Sequence, residues 1–123
     1  MSLTIAEAAE RTGLTAHTLR YYERDGLMRT AVRRSAAGHR AYDEADLTWI
    51  GLISKLRATG MPIRDVKLYA ALVRAGTGNE PERLALLEAH RKRVLEQLEE
   101  VRSHLGAIEH KIEIYHGAVL DRA

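Results

Sequence analysis

The side chains best suited to chemistry in this sequence are arginines and tyrosines, concentrated between residues 16 and 42. That segment carries six arginines against Glu23 and Asp25, a local charge of +4, whereas the remainder of the chain carries −2. Guanidinium groups bind phosphate oxygens, and phenol hydroxyls can donate hydrogen bonds to them. A basic segment on an otherwise slightly acidic chain indicates a protein that meets a polyanion with one face.

Two short helices must position these side chains. Thr4 followed by Glu7 forms a capping box, which predicts that the first helix begins there. Gly13 ends that helix, because glycine adopts the left-handed C-cap conformation without steric cost. Thr15 then caps a second helix, and so short a turn forces a steep crossing, as in helix-turn-helix units. The predicted inward side chains are Ile5, Ala8, Ala9, Leu19 and Tyr22.

The second helix and the basic loop after it are expected to bind DNA as a winged helix-turn-helix. Thr18 and His17 are the better candidates for contacts to base edges, which determine sequence preference. The predicted phosphate contacts are Arg20, Arg40, Arg57, Tyr21 and Tyr42. The full predicted set of DNA-contacting residues is Thr15, His17, Thr18, Arg20, Tyr21, Arg33, Arg34, Arg40, Tyr42 and Arg57.

Several short motifs lie in a definite order along the chain. They are Ala8-Ala9, Gly13, Thr18-Leu19-Arg20-Tyr21-Tyr22-Glu23, Gly26-Leu27, Arg40-x-Tyr42 and Leu56-Arg57-Ala58-Thr59-Gly60-Met61-Pro62. Together they resemble the MerR family of bacterial transcription regulators, and the resemblance covers nearly the whole chain. It implies a dimer that sits between promoter elements and works with RNA polymerase. It also implies activation by bending and untwisting an over-long promoter spacer.

Two further helices are predicted after the basic loop. Asp43 caps the third helix, and Trp49 is expected in the core rather than at a ligand, because large aromatic side chains dominate small cores. Gly60 and Pro62 predict a sharp stop and restart, with the proline at the first position of the fourth helix. The expected buried side of the third helix consists of Leu47, Ile50, Ile53 and Leu56. The fourth helix carries its apolar side chains on one side, at Ile63, Val66, Tyr69, Ala70 and Val73.

A long heptad helix is predicted after a flexible hinge at Gly76-Thr77-Gly78. Ten of its eleven seam positions are apolar or aromatic, Arg91 being the exception, and this favours a coiled coil with a second copy. The family resemblance implies an antiparallel pair; the alternative is an amphipathic helix folded on its own domain. The predicted dimerisation residues are Leu84, Leu87, Val94, Leu98, Val101, Leu105, Ile108, Ile112 and Tyr115.

The predicted organisation is a mainly α fold in three segments. Residues 1–75 form a winged helix-turn-helix domain with a helical extension, 76–79 a hinge, and 80–120 the dimerisation helix. Two identical heads on a rigid dimer read half-sites related by a two-fold axis, so the operator should be palindromic. No run of 18 apolar residues and no signal pattern is present, which predicts a cytoplasmic protein without a membrane segment.

The sequence gives little information on an effector. The chain has no cysteine, which excludes thiolate metal sites, and neither a metal nor a cofactor is predicted. An intersubunit site of His110 or His116 with Glu113 is conceivable, but solvated histidines are the simpler interpretation. A separate effector domain is not expected. Any effector would be small and bind near the hinge, beside Tyr69, or at the end of the coil near Tyr115.

Other functional classes have weaker support. A small helical hairpin with solvated charges would also show a helix-glycine-helix spacing, but it does not require paired tyrosines beside an arginine and a following basic hairpin. A coiled-coil adaptor and an effector-independent DNA-bending protein remain the alternatives. An enzyme is not expected, because the sequence has no glycine-rich phosphate loop, nucleophile elbow or close carboxylate pair at a plausible pocket.

Overall fold

The computed structural model describes residues 2–122, which form five helices and one short β-hairpin. The elements are α1 (Ile5–Thr12), α2 (Ala16–Arg24), β1 (Arg33–Arg34), β2 (Arg40–Ala41), α3 (Glu44–Ala58), α4 (Ile63–Ala75) and α5 (Glu80–Arg122). The mainly helical fold class is therefore confirmed. The hairpin between α2 and α3 occupies the place of the predicted wing.

The predicted helix caps are present. The Thr4 hydroxyl accepts a hydrogen bond from the Glu7 amide while the Glu7 carboxylate accepts one from the Thr4 amide, which completes a capping box. Gly13 closes α1 with a φ of 75°, in the left-handed region that favours glycine. The Thr15 hydroxyl accepts a hydrogen bond from the Thr18 amide and caps α2. These local bonds satisfy amides that would otherwise lack a partner at the helix starts.

The wing is a two-stranded antiparallel hairpin anchored by the N-terminal segment. Arg33 pairs with Ala41 and Arg34 with Arg40. Leu3 bridges to Tyr42, with two backbone hydrogen bonds of 2.6 and 2.9 Å between the two residues. The base of the wing is therefore attached to the chain segment that leads into α1.

One core holds the helices of the N-terminal part together. Helix α1 packs on α2 and α3, and α3 packs on α4. Ala8, Leu19 and Tyr22 are buried as predicted, whereas Ile5 and Ala9 are half-buried. The buried apolar side chains are Ala8, Leu19, Tyr22, Leu27, Met28, Ala41, Tyr42, Leu47, Trp49, Ile50, Ile53, Leu56, Met61, Val66, Tyr69 and Ala70.

Trp49 is a core residue, as predicted. Its ring stacks on Tyr69 with the ring centroids 5.6 Å apart and the planes within 6° of parallel. Its indole nitrogen donates to the Leu27 carbonyl at 2.7 Å in a buried position. The indole therefore packs on α4 and also satisfies the backbone of the turn that follows α2.

We expect Trp49→Phe to destabilise the fold. The substitution removes the donor to the Leu27 carbonyl, and a buried carbonyl without a partner costs about 1–3 kcal/mol. The smaller ring also loses apolar contact. Denaturant unfolding measures the loss, and Tyr69→Phe, which keeps the stacked ring, is the control. Equal stability of Trp49→Phe and the parent chain would contradict this account.

The turn between α3 and α4 differs by one residue from the prediction. Pro62 was expected at the first helical position, but α4 begins at Ile63 and Pro62 precedes it. The reason is that the Pro62 carbonyl accepts hydrogen bonds from the amides of Asp65 and Val66, which makes it the N-cap residue. Proline remains compatible with this position, because its φ of −56° suits the helix start.

The segment at 76–79 joins α4 to α5 through several hydrogen bonds. The Asn79 side chain donates to the Leu72 carbonyl at 2.8 Å and accepts from the Arg83 guanidinium at 2.7 Å. Arg83 also donates to the Gly76 carbonyl at 3.3 Å. The chain divides into two compact units between Leu86 and Leu87, so this segment lies within the first unit.

Helix α5 is continuous over its 43 residues and presents the predicted seam to solvent. Leu98 is 43% exposed, and the apolar seam side chains beyond it are also exposed. The exposed members are Leu84, Leu98, Val101, Leu105, Ile108, Ile112, Tyr115 and Val119. None of the helices in the described chain is apolar enough over a sufficient length to cross a lipid bilayer.

Candidate nucleic-acid interface

The start of α2 presents short polar side chains to solvent. The Thr15 hydroxyl donates to the Thr18 hydroxyl at 3.0 Å, so the two side chains are held together at the first turn. His17 is exposed beside them. The first turn of α2 therefore offers hydroxyl and imidazole groups of the kind that bind base edges or phosphates.

Three of the predicted DNA-contacting arginines share one cleft. Arg20 of α2 is exposed, and together with Arg34 and Arg40 of the wing it lines a cleft of about 250 Å³. The lining residues are Thr4, Ile5, Arg20, Arg34, Gly38, His39 and Arg40. An open cleft lined by three arginines suits an anion such as a phosphate. We call this site the basic cleft.

The wing arginines are ion-paired with carboxylates of the same chain. One oxygen of Glu23 accepts from Arg34 at 3.0 Å, and the other accepts from Arg40 at 2.5 Å. Arg33 pairs with Asp43, outside the basic cleft. These bonds fix both strands of the wing to α2 and to the start of α3. They also reduce the positive charge that the arginines present to solvent.

Tyr42 does not lie where a DNA contact requires. The prediction that it donates its hydroxyl to a phosphate is wrong for this conformation, because only 1% of the residue is exposed. The bridge to Leu3 holds its backbone at the base of the wing, and the ring is packed in the core. Burial raises the pKa of the Tyr42 phenol, and the negative charge of Glu23 acts in the same direction. Tyr42 therefore supports the wing from inside.

The remaining predicted contacts lie outside the basic cleft. Tyr21 is half-buried, with the Arg24 guanidinium 5.8 Å from its ring centroid. Arg57 is exposed at the turn between α3 and α4, where it donates to the Met61 carbonyl at 3.4 Å. These two residues do not line the cleft.

Sequence reasoning missed several participants in this surface. His39 lines the basic cleft, and its signal was its position next to Arg40 in a basic loop. Glu23 and Asp43 were not recognised as partners of the wing arginines. Their signal was weak, because each carboxylate lies ten or more residues from its arginine in the sequence. Within residues 2–122, no three His, Cys, Asp or Glu side chains are gathered closely enough to hold a metal ion.

Asp43 gives the wing a dependence on pH that can be measured. The Asp46 amide, and after it Arg33, hold the pKa of the Asp43 carboxyl below its usual value of 3.8. Because the pKa of Asp43 is lower in the folded protein than in the unfolded chain, the charged carboxylate stabilises the fold at pH values above 3.8. This contribution is lost as the pH falls from 3.8 through the folded-state pKa.

Asp43→Asn should therefore lower stability at pH 7 and lose this effect in acid. Asparagine keeps an oxygen for the helix cap but not the charge that pairs with Arg33. Thermal unfolding of both proteins over a pH series gives the difference in midpoint. Asp121→Asn, which removes an exposed charge near the end of α5, is the control. A difference that stays constant from pH 7 to below pH 3.8 would contradict the assignment.

The comparison with known proteins agrees with this geometry. Residues 3–72 match the model of the MerR HTH family regulatory proteins. The chain belongs to the MerR family. It is 37% identical over 118 residues to an HTH-type transcriptional regulator of Haemophilus influenzae, a match that covers 96% of this chain and 87% of that protein. Its relatives are thus transcription regulators of the helix-turn-helix class.

Solved structures of the MerR family have the same fold. HiNmlR, a MerR family regulator lacking the sensor domain, was crystallised bound to promoter DNA; it matches with a TM-score of 0.86 and 37% identity, over 96% of this chain and 93% of that one. A MerR family transcriptional regulator from Bacillus thuringiensis matches with a TM-score of 0.80 and 30% identity, over 91% and 97% of the two chains. The winged helix-turn-helix and the long C-terminal helix are thus features of the family.

Proposed function

We propose that this MerR-family chain is a sequence-specific DNA-binding transcription regulator that acts as a homodimer on a palindromic promoter operator. The observation that carries the proposal is the basic cleft, which is lined by Arg20 of α2 and by Arg34 and Arg40 of the wing. The first turn of α2 exposes polar side chains that would lie in a major groove. No catalytic step is part of this function.

The DNA contacts divide into two groups by chemistry. Arg20, Arg34 and Arg40, with Arg33 and Arg57 on the flanks, would bind phosphates and set the register of the protein on the duplex. Thr15, His17 and Thr18 would lie against base edges and set sequence preference. Tyr21 is exposed enough at one edge of α2 to donate to a phosphate. A relative with the same fold binding promoter DNA supports this arrangement.

The exposed seam of α5 supports the homodimer. Helix α5 has 43 residues. At 1.5 Å per residue a helix of that length is roughly 65 Å long. Its apolar stripe from Leu98 to Ile112 is open to solvent in a single chain, and a long apolar stripe at heptad spacing is covered by a partner helix in stable proteins. A second copy of the same helix, running antiparallel, satisfies this requirement with the same seam on both sides.

A dimer with two DNA-binding heads can act on a promoter by deforming it. If the two half-sites lie on a promoter spacer of unfavourable length, binding both heads requires the DNA to bend and untwist. The cost of that deformation is offset by the added wing and helix contacts. The deformed promoter then presents its elements to RNA polymerase, so we place the protein in the bacterial cytoplasm with the chromosome.

Selection of bound sequences from a random duplex pool tests the proposal. We expect enrichment of a palindromic site, with half-sites spaced to suit two heads. A salt series on the selected duplex should show a steep loss of affinity, because each neutralised phosphate contributes a slope of about 0.9 in log K against log salt. An adaptor protein would show almost no slope. Failure to enrich any sequence, together with a flat salt dependence, would refute the proposal.

A further inference from the structure

One carboxylate links the two strands of the wing to α2. Glu23 lies in the last turn of α2, with its side chain 22% exposed. Its two oxygens accept from different arginines, Arg34 on β1 at 3.0 Å and Arg40 on β2 at 2.5 Å. Because one residue contacts both strands, it fixes the direction in which the wing projects from α2.

The same carboxylate is bonded to two of the arginines that line the basic cleft. Arg34 and Arg40 line the basic cleft, where a phosphate would bind, and their side chains are 45% and 28% exposed. A phosphate that approaches either arginine meets a guanidinium already bonded to an anion, and it is repelled by the negative charge of Glu23. Arg20 faces the same cleft from α2. The attraction of the cleft for a phosphate is therefore weaker than its three arginines alone would produce.

We propose that Glu23 is a specificity-determining positioning residue, which holds Arg34 and Arg40 in place and limits binding to non-operator DNA. The inference rests on the proposed function. Affinity for random duplex grows with the number of phosphates that the protein neutralises, whatever their arrangement. Affinity for the operator also needs the arginines in register with α2. Glu23 reduces the neutralisation of phosphates, and it keeps the arginines in register with α2.

The Glu23→Gln variant separates these effects. Glutamine keeps the length of the side chain and removes the charge. Affinity for random duplex should rise, with a salt slope steeper by about 0.9 per subunit. The ratio of operator to random-duplex affinity should fall by roughly two- to fivefold, the effect expected from losing an ordered surface ion pair. Fluorescence anisotropy with the full chain, on the selected operator and on a random duplex, gives both quantities.

Glu44→Gln is the matched control. Glu44 also pairs with an arginine, Arg11, at 2.9 Å, and both side chains are exposed outside the basic cleft. This variant should keep the wild-type slope and the wild-type affinity ratio. A change in both variants alike would mean that any lost carboxylate produces the effect, and that would overturn the assignment to Glu23.

The remaining outcomes are also decisive. If Glu23→Gln keeps the wild-type salt slope and the wild-type ratio of operator to random-duplex affinity, the inference is overturned. A uniform loss of affinity for both duplexes with an unchanged salt slope also overturns it, because that result indicates a merely structural role. If Glu23→Gln fails to fold, Glu23→Asp takes its place: the charge is kept and the reach shortened, so the ratio should fall at constant slope, and an unchanged ratio overturns the inference. A wild-type chain without salt-dependent DNA binding refutes the proposed function itself.

Discussion

Leu98→Glu should convert the protein into a monomer and abolish tight operator binding. Leu98 lies at the middle of the apolar seam of α5, where a second copy would cover it. In the dimer the new carboxylate would be buried without a counter-ion, which costs roughly 3–5 kcal/mol. Operator affinity should collapse although no DNA-contacting residue has changed, because a single head loses the contribution of the second half-site.

Sedimentation of the parent chain and the variant measures this effect. Ser103→Glu is the control, because it adds the same charge at an exposed position on the opposite side of the helix from the seam. The Ser103 variant should remain dimeric and bind the operator as the parent does. A parent chain that sediments as a monomer at micromolar concentration would contradict both the coiled coil and the palindromic operator.

Features determined by neighbouring residues were predictable from the sequence. The caps at Thr4, Thr15 and Asp43 and the turn at Gly13 depend on bonds across three or four residues, and all are present. Trp49 was also predicted in the core, because a large apolar ring has few other places in a small domain. The heptad repeat predicted one long helix for the same reason: its spacing is local, and α5 is continuous over 43 residues.

Features determined by distant pairings were not predictable. Tyr42 was expected at a phosphate because it lies beside Arg40, but its pairing with Leu3 places the ring in the core. Nothing in either local sequence encodes that bridge. The pairing of Glu23 with both wing strands likewise depends on how the hairpin folds back onto α2. The number of arginines in the sequence indicated a positively charged wing. It did not show that Glu23 and Asp43 pair with these arginines.

The second large effect is expected on DNA affinity, when one of the proposed phosphate contacts is removed. Arg20→Ala should weaken binding to operator and random duplex alike. Arg20 is an exposed arginine of α2 in the basic cleft, and a hydrogen bond to a charged group contributes about 1.5–3 kcal/mol. The salt slope should also fall by about 0.9 per subunit. Arg11→Ala, which removes an exposed arginine outside the cleft, should change neither quantity.

Thr18→Ala should behave differently from Arg20→Ala. Thr18 lies at the first turn of α2, and its amide still bonds to the Thr15 hydroxyl after its own hydroxyl is lost, so the helix cap remains. A lost base contact changes which sequences are preferred, by about 1–3 kcal/mol at the affected position, and leaves the salt slope unchanged. Repeating the selection with each variant distinguishes the two. If Arg20→Ala kept full affinity at moderate salt while folded, the cleft would not bind phosphate, and α2 would not enter the groove as we propose.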